Sequence, residues 1–247
     1  MTEEQQTGPQ QQQGEPSAGD AEPGKRFLKY TFFKVAREWR SLDPSSKEDC
    51  RREFLGVLAG SSPLRPSFFS LVGIRGDVDF MILTDTATLD PLQDLMAGVL
   101  ATKLGRYLET PFSYLAMTKP SHYIGSHKHP GQEGAVEGPP STSRFLFVYP
   151  FVKKREWYRL PFEERRRIMA EHFKIGHRYP AIKIHTGYSF GIDDQEFVLS
   201  FEGDSPAEFL ALVEELRGSE ASMYTQLETP IFTCRRVDPS RLLSLLG

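Results

Sequence analysis

The chain carries one pattern twice. The stretch GDVDFMILTDTATLDPLQDLMAGVLATKLGRYLETPFSYLAM has a counterpart in DDQEFVLSFEGDSPAEFLALVEELRGSEASMYTQLETPIFTC. Phe80 aligns with Phe197, and Leu108-Glu109-Thr110-Pro111-Phe112 aligns with Leu227-Glu228-Thr229-Pro230-Ile231. Each copy reads as a strand, a helix opened at Asp-Pro or Ser-Pro, and a second strand. Each is preceded by a further helix and strand, over 43–75 in the first case and 161–191 in the second. Both halves therefore have the order β-α-β-β-α-β, the ferredoxin-like arrangement. Two such sheets side by side predict an α+β protein whose sheets wall a barrel-like interior.

The material around the repeat differs in kind. Residues 1–24 hold no large apolar residue after Met1. Such a segment buries too little surface to offset its ordering entropy, so a disordered tail is expected. RFLKYTFFKVAREW then reads as a strand, and DPSSKEDCRREFLGVLAG as an amphipathic helix opened by Asp43-Pro44. The expected N-terminal half spans 25–120 and the C-terminal half 143–247. Between them KPSHYIGSHKHPGQEGAVEGPPSTSR is rich in Gly, Pro, Ser and His, which predicts a connecting loop over 121–142.

Bulk properties exclude several functions. A net charge of −3 gives no global attraction to nucleic acid. The two cysteines, Cys50 and Cys234, form no CxxC pair, so zinc and iron–sulfur chemistry lack a ligand pattern. No apolar run has the length of a membrane span, and no basic-then-apolar signal opens the chain. The expectation is a cytoplasmic protein.

Chemistry-bearing residues concentrate in the second half. In PFEERRRIMAEHFKIGHRYP, residues 161–180, helical spacing puts His172 on a face with Ile168, Met169 and Gly176, while His177 lies among polar residues. Pro161 suits the first turn, and Glu163 and Glu164 suit the positive helix end. Helix position leaves two readings of His172: a buried histidine with a backbone partner, or a ligand to which Gly176 lets a flat cofactor approach. In FVYPFVKKREWYRLPF, alternation places Tyr149, Phe151 and Lys153 on one strand face. Tyr149 and Lys153 are then roughly 13 Å apart, comparable to the span of a porphyrin with its propionates. An edge strand with a solvated basic end is the other reading. The run Arg165-Arg166-Arg167 is by default a solvated face pairing with Glu163 or Glu171, yet a basic surround also suits a ligand with several carboxylates. The loop SHYIGSHKHP holds His122, His127 and His129. Its H-x-H spacing has no helix or acidic partner to support a metal site, and a general base on a loop fits equally.

Taken together, YPFVKKREWYRLPFEERRRIMAEHFKIG, SFGIDDQEF and SEASMYTQLETPIFT resemble the chlorite dismutase-like superfamily, and within it the coproheme decarboxylase branch of the actinobacterial type. The resemblance covers roughly residues 25–240 and is most specific over 146–235. It implies two ferredoxin-like halves of the dimeric α+β barrel type, a haem site in the C-terminal half, and a homopentamer. It implies that His172 is the proximal iron ligand and that Tyr149 is the redox-active tyrosine beside a reactive propionate. Lys153 falls where a basic residue engages that propionate, and Trp157 matches a tryptophan serving the second decarboxylation. Chlorite-decomposing members carry an Arg where this chain has Ile184, which cannot hold chlorite or hypochlorite. The actinobacterial type uses a loop histidine as distal base; that role falls to His127, with His129 as rival. His185 lies one position off the distal site and faces away by alternation.

The reaction so implied takes Fe-coproporphyrin III (coproheme) as substrate and redox centre, and hydrogen peroxide as oxidant. It removes carbon dioxide from two propionates and leaves haem b. The alternatives are a haem b-containing peroxidase of the same superfamily and a non-catalytic haem-binding oligomeric module.

Overall fold

Alternation along the strands sets the architecture. The first strand, β1 (Phe27–Val35), turns Leu28, Tyr30 and Phe32 into one apolar cluster and Phe33 and Val35 into another. The structure is a computed structural model and describes residues 25–62, 64, 66–119, 123 and 142–247. The expected tail and His122, His127 and His129 of the connecting loop lie outside the described residues. After β1 come α1 (Arg37–Arg40), α2 (Pro44–Ala59), β2 (Ser67–Ser70), β3 (Phe80–Thr86), α3 (Asp90–Ala101) and β4 (Leu108–Thr118). The second half runs β5 (Phe145–Lys153), α4 (Arg155–Arg159), α5 (Phe162–Gly176), β6 (Lys183–Tyr188), β7 (Phe197–Gly203), α6 (Pro206–Arg217), β8 (Thr225–Leu227), β9 (Phe232–Val237) and α7 (Pro239–Leu245).

Each half forms an antiparallel sheet of the ferredoxin-like order, β4-β1-β3-β2 and β6-β7-β5-β9. β2 pairs with β9 and β4 with β6, so the pairings close into a ring. β8 extends β5 at its end. The α+β expectation is borne out. Inside the ring, residues from both halves make one core, among them Leu28, Phe32, Phe69, Met81, Leu146, Val198 and Phe232. Outside it, helices cover each half. α2 and α3 contribute to an outer core on the first half with Phe33, Trp39 and Phe54, joined by Leu242, Leu243 and Leu246 of the C-terminal segment. On the second half, Ile175 of α5 and Phe209 and Leu212 of α6 pack with Phe147, Tyr149 and Phe201.

Two details depart from the sequence reading. RFLKYTFFKVAREW was expected as one strand, but the strand ends at Val35 and Arg37–Arg40 is helical. The turn carries Trp39 into the outer core, where it is fully buried and its indole N–H donates to the Leu246 carbonyl at 3.0 Å. A continued strand would carry the ring away from that partner. The repeated Leu-Glu-Thr-Pro segment is continuous strand in β4, whereas its second copy is broken between β8 and β9. At that break the Glu228 carboxylate pairs with Arg217 at 2.6 Å, and the Ile231 carbonyl accepts from Arg75 Nη1 at 2.7 Å.

Candidate functional site in the second half

The first half acts as an internal control for the second. Val35 and Lys153 each end the first strand of their half. Trp39 and Trp157 are each the third residue of the short helix that follows. Phe54 and His172 are each the eleventh residue of the next helix. In the first half Val35, Trp39 and Phe54 are core residues of one apolar cluster, closed by α7 against α2 and β2. In the second half two of those positions carry a lysine and a histidine, and among the described residues no counterpart of α7 follows α5 and β6. The correspondence is legible in the sequence once the register is known, because Arg37-Glu38-Trp39 recurs as Arg155-Glu156-Trp157.

His172 sits on α5 between two apolar groups. Ile168 and Met169, one turn earlier, pack with Trp157, and Ile175, one turn later, packs with Tyr149. Among the described residues its imidazole has no hydrogen-bond partner, only an edge contact with Phe173. Burial lowers its pKa to about 4, and the positive charge of Lys153 pushes in the same direction. At neutral pH the ring is therefore uncharged and retains an unused lone pair, the form a metal ligand needs. Gly176 is buried at the end of the same helix.

Lys153 is 9% exposed. Its ammonium lies 4.1 Å from the centre of the Trp157 ring and 5.6 Å from that of Phe151. The ammonium donates to the Ala221 carbonyl at 3.4 Å, and among the described residues no carboxylate lies within ion-pair distance of it. Burial lowers its pKa to about 8, with Glu196 acting in the opposite direction. A buried cation with so weak a partner favours an anionic ligand.

Tyr149 lies on the strand face covered by α5 and α6, stacked on Phe201 at 5.7 Å. Burial raises its pKa and keeps the phenol protonated; Glu228 adds to the shift and Arg217 opposes it. The charges of the Arg217–Glu228 pair thus act on the phenol, and sequence reasoning did not single the pair out. The signal for it was the Arg-Gly-Ser-Glu segment before the repeated Leu-Glu-Thr-Pro. Ile184 packs against the same apolar cluster, while His185 faces Glu202 at 3.2 Å, as alternation required. The arginine run divides: Arg166 pairs with Glu163 at 2.5 Å and Arg167 with Glu164 at 2.7 Å, both outward. Arg165 turns inward, with its Nε buried and without a partner among the described residues and its Nη1 donating to the Tyr123 hydroxyl at 3.4 Å.

The structure thus brings Lys153 and Trp157 into contact and sets His172 within reach of the lysine's charge. Tyr149 lies in the neighbouring cluster, and His127 is outside the described residues.

Comparison with known proteins gives the following. The chlorite dismutase family model matches residues 47–237. A coproheme decarboxylase of Mycolicibacterium smegmatis is 31% identical over 222 residues, which cover 90% of this chain and 94% of that protein. Among solved structures, a mutant chlorite dismutase from Candidatus Nitrospira defluvii superposes with a TM-score of 0.82 at 22% identity, covering 90% of this chain and 95% of the other. A haem-binding protein from Thermus thermophilus superposes with a TM-score of 0.79 at 22% identity, over the same shares. At these identities the structural matches speak for the fold.

Proposed function

The chain belongs to the chlorite dismutase family of enzymes, and from that premise we propose that it oxidatively decarboxylates coproheme with hydrogen peroxide, yielding haem b. The observation that carries this reading is the exchange between halves. A neutral histidine, without a hydrogen-bond partner among the described residues, stands where the first half has core Phe54, and a buried lysine stands where it has Val35. An apolar fold gains nothing from those two exchanges unless a ligand offers both an iron and a carboxylate.

His172 is then the iron ligand, through its free lone pair. Lys153 meets a propionate, with its charge sharpened by the low-dielectric wall of Phe151 and Trp157. Arg217, paired with Glu228 and acting electrostatically on the Tyr149 phenol, is the candidate to meet another carboxylate. The bound iron supplies the oxidising power of peroxide. Each propionate must lose two electrons and a proton along with carbon dioxide to become a vinyl group, while one peroxide becomes two waters. Tyr149 is the one-electron relay. Its phenol is held protonated, so it gives up its proton only together with an electron. Trp157, against Lys153, serves the second propionate. His127 is the base that takes the peroxide proton, by the sequence resemblance alone. Ile184 offers no anchor for chlorite, so chlorite decomposition is not part of this reading. A homo-oligomer, pentameric in the resemblance, belongs to the same proposal; light scattering of the purified protein tests it.

The deciding experiment adds coproheme and then peroxide to the purified protein and follows the porphyrin by mass. Stepwise loss of two carboxyl groups is expected in the wild type. Tyr149→Phe should bind coproheme with unchanged affinity and leave it intact. Binding with plain peroxidase turnover, and no mass change, would assign the chain to a haem peroxidase instead.

A further inference from the structure

Glu196 is almost fully buried, at 6% exposure, yet it lies in no apolar cluster and has been given no role beyond its effect on the Lys153 charge. Its carboxylate collects donors from one short stretch of chain. The Lys153 backbone N–H donates at 2.8 Å, Arg155 Nη1 at 3.0 Å and the Tyr158 hydroxyl at 2.5 Å. That stretch is where β5 turns into α4, and it carries both Lys153 and Trp157. The first half has the same device. Asp79, directly before β3 as Glu196 is directly before β7, accepts from the Val35 N–H at 2.9 Å and from Lys34 Nζ at 3.1 Å. There the turn so held carries the core residues Val35 and Trp39, and the lysine that binds the carboxylate, Lys34, is only half-buried.

We propose that Glu196 is a positioning residue for the reaction, a clamp that fixes the turn bearing Lys153 and Trp157 and keeps the lysine charged to receive a propionate. The inference rests on the functional reading above. The clamp itself is a feature of the duplicated fold; what differs is the load. In the first half it anchors an apolar residue, and in the second it anchors a cation in a dry wall, beside which a fixed negative charge has electrostatic value. Lys153 is faced by Glu196 from the loop before β7, by His172 from α5 and by the Ala221 carbonyl from the turn before β8, while Arg155 and Tyr158 of α4 bind the same carboxylate. Of these, only Glu196 brings a negative charge. The half-buried Tyr158 phenol has a raised pKa and stays neutral, and Arg155 is largely solvated at 81% exposure.

The test compares Glu196→Gln with Asp79→Asn, each near-isosteric and each checked for folding by thermal melting. Tyr158→Phe serves as a milder second variant that leaves the carboxylate in place. Without ligand, the pH dependence of Lys153 acylation, read by peptide mass, should move to lower pH by about one unit or more in Glu196→Gln and stay in place in Asp79→Asn. With coproheme, the dissociation constant should rise about tenfold near pH 8 in Glu196→Gln and recover as pH is lowered, because the lysine is recharged. Tyr158→Phe should show a smaller rise, and Asp79→Asn should lower the melting temperature alone. An unmoved acylation profile in Glu196→Gln, or equal effects from both clamps on coproheme affinity, would overturn the proposal. A wild-type protein that binds no coproheme at all would sink the functional reading, while the acylation profile would still decide whether Glu196 holds the lysine.

Discussion

Burial of its charge makes Lys153 disfavour the ligand-free fold at neutral pH, whereas His172, already uncharged there, does so only below its ordinary pKa of 6.5. The folded pKa of Lys153, about 8, lies below its ordinary value of 10.5, so the unfolded chain holds that proton more tightly. The cost is fully present below pH 8, shrinks as pH rises through the window between 8 and 10.5, and is gone above it. Lys153→Met, which keeps the volume and removes the charge, should therefore stabilise the ligand-free protein at pH 7 by up to roughly 2 kcal/mol, and much less at pH 10. Denaturant unfolding at the two pH values measures this; a destabilised variant would mean that the cation is well satisfied without a ligand. His172→Phe, which installs the side chain found at position 54, should leave a folded protein that no longer gives a ligated iron spectrum with coproheme. Retention of that spectrum would remove His172 as the iron ligand. For neither residue was the environment readable beforehand. By helical spacing His172 read first as a core histidine, and the resemblance turned the reading to an iron ligand; the company of Trp157, Tyr149 and Lys153 in space is what spacing alone does not carry.

At the scale of elements, α5 and α6 wall the site. The face of α5 was legible from its spacing: Ile168 and Ile175 are buried, and Glu163 and Glu164 lie in its first turn. α6 presents Phe209 and Leu212, with Phe209 stacked on Phe147 at 4.0 Å, and Leu212 fully buried. Leu212→Ala should cost about 2–5 kcal/mol, since the strands beneath cannot collapse into the space. Thermal melting with and without coproheme checks it: a loss below about 1 kcal/mol would mean that the wall relaxes into the space, and a smaller rise with ligand than in the wild type would mean that the change reaches the binding site. The short helices α1 and α4 were not foreseen as helices. Each is about one turn long, too short to form by its own propensity, and each exists because a tryptophan reaches its outer core there.

The whole molecule depends on two seams between the halves. One joins β2 to β9, where Arg236 lies over Phe69 at 4.7 Å and Arg75 over Phe232 at 4.6 Å. The other joins β4 to β6 through only Met117↔Tyr188 and Thr118↔Gly187. Gly187 permits that second seam, because a Cβ there would meet the Ala116 Cβ at 2.6 Å. Gly187→Val should lower stability by about 1–3 kcal/mol and loosen β6, the strand that carries Ile184. Hydrogen exchange of the β6 and β4 amides reads this; unchanged protection with an unchanged melting temperature would show that the seam has room to spare. No helix among the described residues is long and apolar enough to cross a membrane.

The sequence by itself determined the duplication, the order of elements in each half and the apolar faces of the longer helices. These follow from periodicity and turn chemistry, which act over a few residues. It also offered His172, Tyr149, Lys153 and Trp157 as a set, through resemblance to a family. It did not show Glu196, because a carboxylate that collects donors from residues some forty positions earlier leaves no local pattern. Only the tertiary structure decided which edges join the two sheets, β2 to β9 and β4 to β6, and that α7, from the second half, packs on α2 and β2 of the first. That asymmetry is a matter of packing between distant segments. Within that frame, Lys153 and His172 in place of Val35 and Phe54 distinguish a candidate site in the second half from the solid core of the first.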